Sequence, residues 1–341
     1  MGLPLGRIGD AGGRTRGGDA SKNFSPGGYR KFRLDQRVFR HQRPFKTSNP
    51  FDADTDTAGG DDQPWCDTAA MDVRTRNNVT ASGPADGRPV VFSHGFGCDQ
   101  NMWRLVTPAF TDDHRVVLFD HVGAGHSDLS AWQPERYASL DGYAGDVLEL
   151  LDELDLRDVV FVGHSVSAMI GVLAANRDPS RFGALVLVGP SPRYVDDDGY
   201  RGGFSTADIE ELLDSLDSNY LGWSAAMAPA IMGNADRPEL GQELTESFCR
   251  TDPEIARHFA RVTFLSDNRD DLAAVGLPTL VLQCRDDVIA DRAVGEFVHR
   301  AIPGSELVVL NATGHCPNLS APEETAAAIR GFLAGSGGAG S

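Results

Sequence analysis

From about residue 71 the chain sets short apolar runs between longer stretches whose apolar positions recur every three or four residues. The runs at 73–81, 89–93, 115–119, 159–162, 184–188, 279–284 and 306–310 predict strands. The longer period predicts helices near 101–110, 140–154, 165–176, 292–301 and 322–333. The run Val159-Val160-Phe161-Val162 is apolar without alternation, as a strand covered on both faces requires. Strands alternating with helices imply a mainly parallel, doubly wound α/β sheet. The alternation lapses between 190 and 276. There Asp208-Ile209-Glu210-Glu211-Leu212-Leu213-Asp214-Ser215-Leu216 and Pro253-Glu254-Ile255-Ala256-Arg257-His258-Phe259-Ala260 keep helical spacing with no convincing strand between them. A helical block inserted between two sheet strands forms a cap over the carboxyl edge, where open α/β sheets bind ligands.

These patterns divide the chain into a core over 66–190 and 276–334 and a helical cap over 191–275. Residues 1–65 lack a sustained period and contain the linker-like Gly59-Gly60-Asp61-Asp62, so they are expected to be a disordered tail, as is the Gly/Ser run at 335–341. Charge follows the same division. The first 50 residues hold 11 of the 31 Lys and Arg but 3 of the 49 Asp and Glu, leaving a net charge of −26 on the other 291 residues. So acidic a body repels phosphates and argues against nucleic-acid binding. No apolar run approaches a membrane span, and Met1-Gly2-Leu3-Pro4-Leu5-Gly6-Arg7 lacks the apolar segment of a secretory signal, so a cytoplasmic location without membrane association is expected. The five cysteines (Cys66, Cys98, Cys249, Cys284, Cys316) are scattered singly, which predicts free thiols and no structural zinc. No phosphate loop, H-E-x-x-H or dinucleotide fingerprint occurs, and no cofactor or metal is expected.

One stretch carries chemistry. Gly163-His164-Ser165-Val166-Ser167 follows a buried strand and opens a helix, the layout of a nucleophile elbow. Gly163 permits the tight turn, and the small Ser167 and Ala168 let the helix crowd the strand; Ser167 stands where the usual pattern has a second glycine. A serine hydroxyl needs a base, a group that orients the base, and donors for the oxyanion. In this architecture the acid and then the histidine follow the serine, each on a loop after a strand. The strand ending at Cys284 leads into the adjacent acids Asp286 and Asp287, and the residues alone leave both open. Of nine histidines, His315 sits just after a late strand and just before the final helix. The loop after Val90-Val91-Phe92-Ser93, in His94-Gly95-Phe96-Gly97, suits oxyanion donors: the backbone N–H of Phe96 and of Val166. Gly125-His126-Ser127 repeats the letters of the elbow but no helix follows it, so it reads as a structural turn; His94 reads as a residue of packing and loop shape. Trp103, Phe204, Trp223, Met227 and Phe264 are candidate walls of a capped cavity.

Four further segments sharpen this reading: His94-Gly95-Phe96-Gly97-Cys98-Asp99-Gln100-Asn101-Met102-Trp103, Leu118-Phe119-Asp120 through Gly125-His126-Ser127-Asp128-Leu129, Val188-Gly189-Pro190-Ser191-Pro192-Arg193-Tyr194, and Gly314-His315-Cys316-Pro317. With the elbow, Tyr220-Leu221-Gly222-Trp223 and Phe248-Cys249-Arg250-Thr251-Asp252-Pro253, they resemble the RsbQ-type branch of the α/β-hydrolases over about 71–334. That branch includes the plant karrikin and strigolactone receptor hydrolases, and in it a serine at the place of Ser167 is a familiar variant. The resemblance implies an α/β-hydrolase fold with a four-helix cap, a triad of Ser165, Asp287 and His315, and oxyanion donors at Phe96 and Val166. It implies a serine hydrolase acting on a small apolar ester or lactone, or a signalling protein that handles a small ligand and activates a partner phosphatase in a stress-response pathway.

Overall fold

The computed structural model describes residues 72–336, all within one unit spanning Thr57–Ser341. The tail expected over 1–65 lies outside the described residues, and so does 337–341; Gly335 and Ser336 close the last helix instead of belonging to a tail.

Seven strands form one sheet in the order β1–β3–β2–β4–β5–β6–β7. They are β1 (Thr80–Ser82), β2 (Arg88–Ser93), β3 (His114–Leu118), β4 (Val159–His164), β5 (Phe182–Val188), β6 (Thr279–Asp286) and β7 (Glu306–Thr313). Only β1, at the edge, runs antiparallel to its neighbour. The register sets Val90 beside Val116 on one side and Val160 on the other, so β-branched side chains fill the sheet's centre. All six residues of β4 are buried. That burial explains the unalternating apolar run and fixes the plane from which Ser165 rises.

Helices cover both faces. The short α1 (Val73–Arg76) precedes β1, and α2 (Leu140–Glu153) lies against α3 (Val166–Arg177). Ser139 caps α2 by accepting from the Asp141 N–H, and Leu140, Tyr143, Ala144, Val147, Leu150 and Leu151 form its buried stripe. The helix α3 is buried from Val166 to Ala175, so small residues in it allow close packing on the sheet. Four helices occupy the block between β5 and β6: α4 (Thr206–Ser218), α5 (Tyr220–Met232), α6 (Pro238–Arg250) and α7 (Pro253–Leu265). The chain then adds α8 (Arg292–Ala301), α9 (Pro317–Ser320) and α10 (Pro322–Ser336). The cap is fastened to the core where Tyr143 of α2 stacks on Phe259 of α7 with ring centroids 4.5 Å apart. Such a pair adds about 0.5–1.5 kcal/mol beyond its buried area.

Two elements differ from the periodic pattern. The segment 73–81 is not one strand: Asp72 caps the α1 turn, and Arg76 is drawn inward to Glu149 at 2.5 Å and Asp146 at 3.3 Å, leaving only Thr80–Ser82 extended. The expected helix over 101–110 is two 3₁₀ turns, Gln100–Trp103 and Thr107–Ala109, because Pro108 cannot donate to a continuing helix.

Candidate active site

The elbow is a single residue between strand and helix. Ser165 has φ 56° and ψ −121°, a conformation that a non-glycine residue adopts at a cost of about 1–3 kcal/mol. Its N–H donates to the Val188 carbonyl at the end of β5, and its carbonyl accepts from Ala168 N–H, which hold the turn in place. Gly163 is required by proximity: a Cβ there would stand 2.4 Å from the Ser167 carbonyl oxygen. The outcome is a hydroxyl at the carboxyl edge of the sheet, beneath the cap.

The side chains expected from sequence meet here. His315 Nε2 lies 2.8 Å from Ser165 Oγ, and His315 Nδ1 lies 2.8 Å from Asp287 Oδ2. Asp287 also accepts from the N–H groups of Ile289 (2.8 Å) and Ala290 (3.1 Å) through Oδ1. A carboxylate only accepts, so Nδ1 carries the proton and Nε2 is free to accept from the serine hydroxyl. Burial separates the two adjacent acids. The Asp287 side chain is wholly inaccessible, whereas that of Asp286 is 59% exposed and pairs with Arg285 at 2.9 Å.

Tyr194, on the loop after β5, is a site residue that the sequence reading quoted in a motif without assigning it a role. It is buried and lines the cavity that Ser165 lines, its ring 5.0 Å from that of Phe264 between centroids. Burial pushes its pKa up, so the phenol stays protonated. Its signal in the sequence was position alone: a loop at the carboxyl end of a central strand.

Below the elbow lies a buried polar layer that explains Ser167. Its Oγ donates to the His94 carbonyl, accepts from Ser93 Oγ (2.9 Å) and lies 2.8 Å from His121 Nε2. A glycine could make none of these bonds. Ser167 thus ties the elbow helix to the loop that bears Phe96. His94 is a scaffold residue: Nδ1–H donates to the Gly95 carbonyl and Nε2 accepts from His121 N–H. Burial holds His121 well below its ordinary pKa, and burial plus the neighbouring His315 lowers His164 to about 3, so both are neutral. Ser127 accepts from Gly123 N–H and shapes a turn. Among the described residues, neither Phe96 N–H nor Val166 N–H donates within the chain. No group of three or more His, Cys, Asp or Glu among the described residues could hold a metal ion, and no helix there is long and apolar enough to cross a membrane.

A cavity of about 30 Å³ lies over Ser165, room for a water or two. Trp223 and Phe264 line it, with Phe96, Phe248, Tyr194 and Thr263. The other candidate walls lie elsewhere. Trp103 is core, 5.1 Å from Phe92 between ring centroids; Phe204 is tied by its backbone to Tyr194 and Asp196; Met227 is buried in α5 away from the cavity.

The cap also grips the histidine loop. His315 N–H donates to the Ile231 carbonyl at the end of α5 (2.9 Å). Asn234 Nδ2 bridges the Met232 and Thr313 carbonyls, 2.8 Å from each, and Arg237 donates to Asn234 Oδ1 and to the Ser320 carbonyl. Gly314 has φ +87°, and a Cβ on it would sit 1.8 Å from the Met232 carbonyl oxygen, so only glycine fits this joint.

Comparison with known proteins identifies the family. The chain is 39% identical over 257 residues to the strigolactone esterase D14 of Arabidopsis thaliana, covering 75% of this chain and 96% of that one. It is 38% identical over 239 residues to a karrikin insensitive 2 receptor of Petunia hybrida, covering 70% and 87%. A solved structure of a hydrolase from Oleispira antarctica superposes with a TM-score of 0.75 at 40% identity, covering 77% of this chain and 96% of that one. Residues 90–328 match the alpha/beta hydrolase family, and the chain belongs to it.

Proposed function

We propose that this hydrolase cleaves a small ester or lactone through an acyl-enzyme on Ser165. One observation carries the reading: the His315 imidazole lies 2.8 Å from Ser165 Oγ and 2.8 Å from Asp287 Oδ2. Ser165 Oγ bonds to the substrate carbonyl carbon as its proton passes to His315 Nε2. The carbonyl oxygen becomes an oxyanion that accepts from Phe96 N–H and Val166 N–H. On collapse, His315 Nε2–H protonates the departing oxygen, which remains tethered when the substrate is a lactone. A water then gives a proton to His315 as it attacks the acyl carbon, and Ser165 Oγ leaves with that proton. Asp287 keeps Nδ1 protonated and stabilises the imidazolium formed twice in the cycle. The aromatic lining favours an apolar substrate, and the small cavity means that the cap helices part to admit it. Relatives named strigolactone esterase and 3-oxoadipate enol-lactonase support an ester or lactone bond as the target.

A signalling reading draws support from one observation, the receptor name of the Petunia relative. In an RsbQ-type role the same triad handles a signal molecule and the protein activates a partner phosphatase. The two readings share the chemistry and differ in turnover. The test is hydrolysis of p-nitrophenyl acetate and butyrate by the purified chain and by Ser165→Ala. The proposal expects release of nitrophenol that falls by on the order of 10⁴-fold in the variant. Equal rates for both proteins would reject it, and slow release with a single fast turnover would favour the signalling reading.

A further inference from the structure

Serine and threonine hydroxyls inside helices ordinarily bond to the carbonyl one turn earlier. Ser218, Ser224, Thr245 and Thr325 do so here, at 2.7–2.9 Å. Thr263 does not. It lies in α7 with the Phe259 carbonyl one turn before it, is 1% exposed, and its Oγ1 has no hydrogen-bond partner. An unpaired buried hydroxyl costs about 1–3 kcal/mol. Thr263 lines the cavity over Ser165, beside Phe264.

The other polar groups of that cavity sort into two sets. Ser165 and His315 are engaged with each other and with Asp287, and Tyr194 lines the same cavity from the loop after β5. His164 Nδ1 has no partner, but it is tucked against Gly95, 2.6 Å from where a Cβ would stand, on the core side. On the cap side the Trp223 indole N–H of α5 is also buried and without a partner, its ring stacked on Phe248 at 5.6 Å. The cap thus sets a hydroxyl-bearing and an N–H-bearing side chain, both unpartnered, in a wall otherwise made of Phe248, Phe264, Ile231 and Leu244. A plain alkyl chain leaves both unpaired and forfeits their hydrogen bonds to water.

We propose that Thr263 is a specificity-determining residue: its hydroxyl, with Trp223 N–H as a second donor, receives an oxygen that the ligand carries apart from its scissile carbonyl. The inference rests on the ester- or lactone-cleaving reading and narrows the substrate to acyl groups or lactones bearing a keto, hydroxy or ring-ether oxygen toward the cap. A site built to pair such an oxygen discriminates strongly against the analogue that lacks it.

The test uses p-nitrophenyl esters paired to differ by one C=O in place of CH₂: 4-oxopentanoate against pentanoate, and 5-oxohexanoate against hexanoate. At least one keto ester is expected to be preferred in kcat/KM. Thr263→Val, which exchanges the hydroxyl for a methyl at nearly constant volume, should reduce that preference by about 5- to 30-fold, and Thr263→Ser should restore it. Ratios within about twofold of unity for both pairs, or a preference unchanged in Thr263→Val, would overturn the assignment. The matching methyl esters are also titrated calorimetrically against Ser165→Ala, which reads binding without turnover. If the wild-type chain hydrolyses none of the esters, the activity reading fails, while the ratio of binding constants still decides the role of Thr263: a keto preference supports it and equal constants refute it.

Discussion

Replacing Asp287 by asparagine keeps the shape of the side chain and removes its charge, and the surroundings dictate how the amide must sit. Oδ1 faces two backbone donors, Ile289 N–H at 2.8 Å and Ala290 N–H at 3.1 Å, while the other oxygen faces His315 Nδ1 at 2.8 Å. An amide NH₂ cannot face those two N–H groups, so its oxygen takes their side and its NH₂ points at His315. Nδ1 must then accept. The ring proton moves to Nε2, where it points at Ser165 Oγ, and the base has become a donor. This wrong tautomer lowers kcat by on the order of 10⁴-fold, a barrier increase of about 5.5 kcal/mol. Initial rates on p-nitrophenyl butyrate give the number, and thermal melting checks the fold, which should survive because both backbone donors stay paired. Asp286→Asn is the control. Its exposed pair with Arg285 is worth little, and the rate should stay within about threefold of wild type. An Asp287→Asn enzyme within about tenfold of wild type, or an Asp286→Asn enzyme more damaged than it, would refute the orientation argument.

Three further outcomes follow from other parts of the molecule. Asn234 has φ 55°, which glycine adopts freely, so Asn234→Gly removes the bridge between the cap and the histidine loop without backbone strain; the loss of three hydrogen bonds, the bridge's two and the one from Arg237, about 1–2 kcal/mol, should lower kcat by roughly 5- to 30-fold with a smaller change in KM, and an unchanged kcat would show that the bridge does not position His315. His121 and His164 are neutral in the folded chain and gain protons near pH 6.5 once unfolded, so the unfolded state binds more protons below that pH and stability falls as pH drops from 6.5, by about 1.4 kcal/mol per pH unit for each group; urea midpoints between pH 7 and 5 should show this fall, and a flat profile would mean that neither ring is held neutral by burial. Iodoacetamide on the native protein should label the exposed Cys249 well before Cys98, Cys284 and Cys316, whose thiols burial pushes up; equal labelling by peptide mass spectrometry would contradict their burial.

What could be read from the sequence was set by how local each signal is. Ser165 and His315 stood out because each follows a strand at the carboxyl edge, a property of spacing alone. Asp286 and Asp287 were not separable by their residues, since both follow the same apolar run ending at Cys284; burial and the two N–H donors of the next turn distinguish them only in three dimensions. Helix α5 escaped the periodic reading because it is apolar on all sides and contains Pro229. The strand expected over 73–81 failed because Arg76 is drawn inward by Asp146 and Glu149, residues some 70 positions away. Among the expected cavity walls, Trp103, Phe204 and Met227 share large size with Trp223 and Phe264, and size does not reveal which way a side chain faces. Tyr194 and Thr263 had no pattern of their own; their significance is that both line the cavity over Ser165.

The most direct test of the central claim is covalent. The purified chain is treated with a fluorophosphonate and digested, and the modified peptide is sequenced by mass spectrometry. The account predicts one phosphonyl adduct, on Ser165, lost in Ser165→Ala and strongly slowed in Asp287→Asn. An adduct on Ser127, or a wild-type chain left unmodified after prolonged exposure, would contradict it.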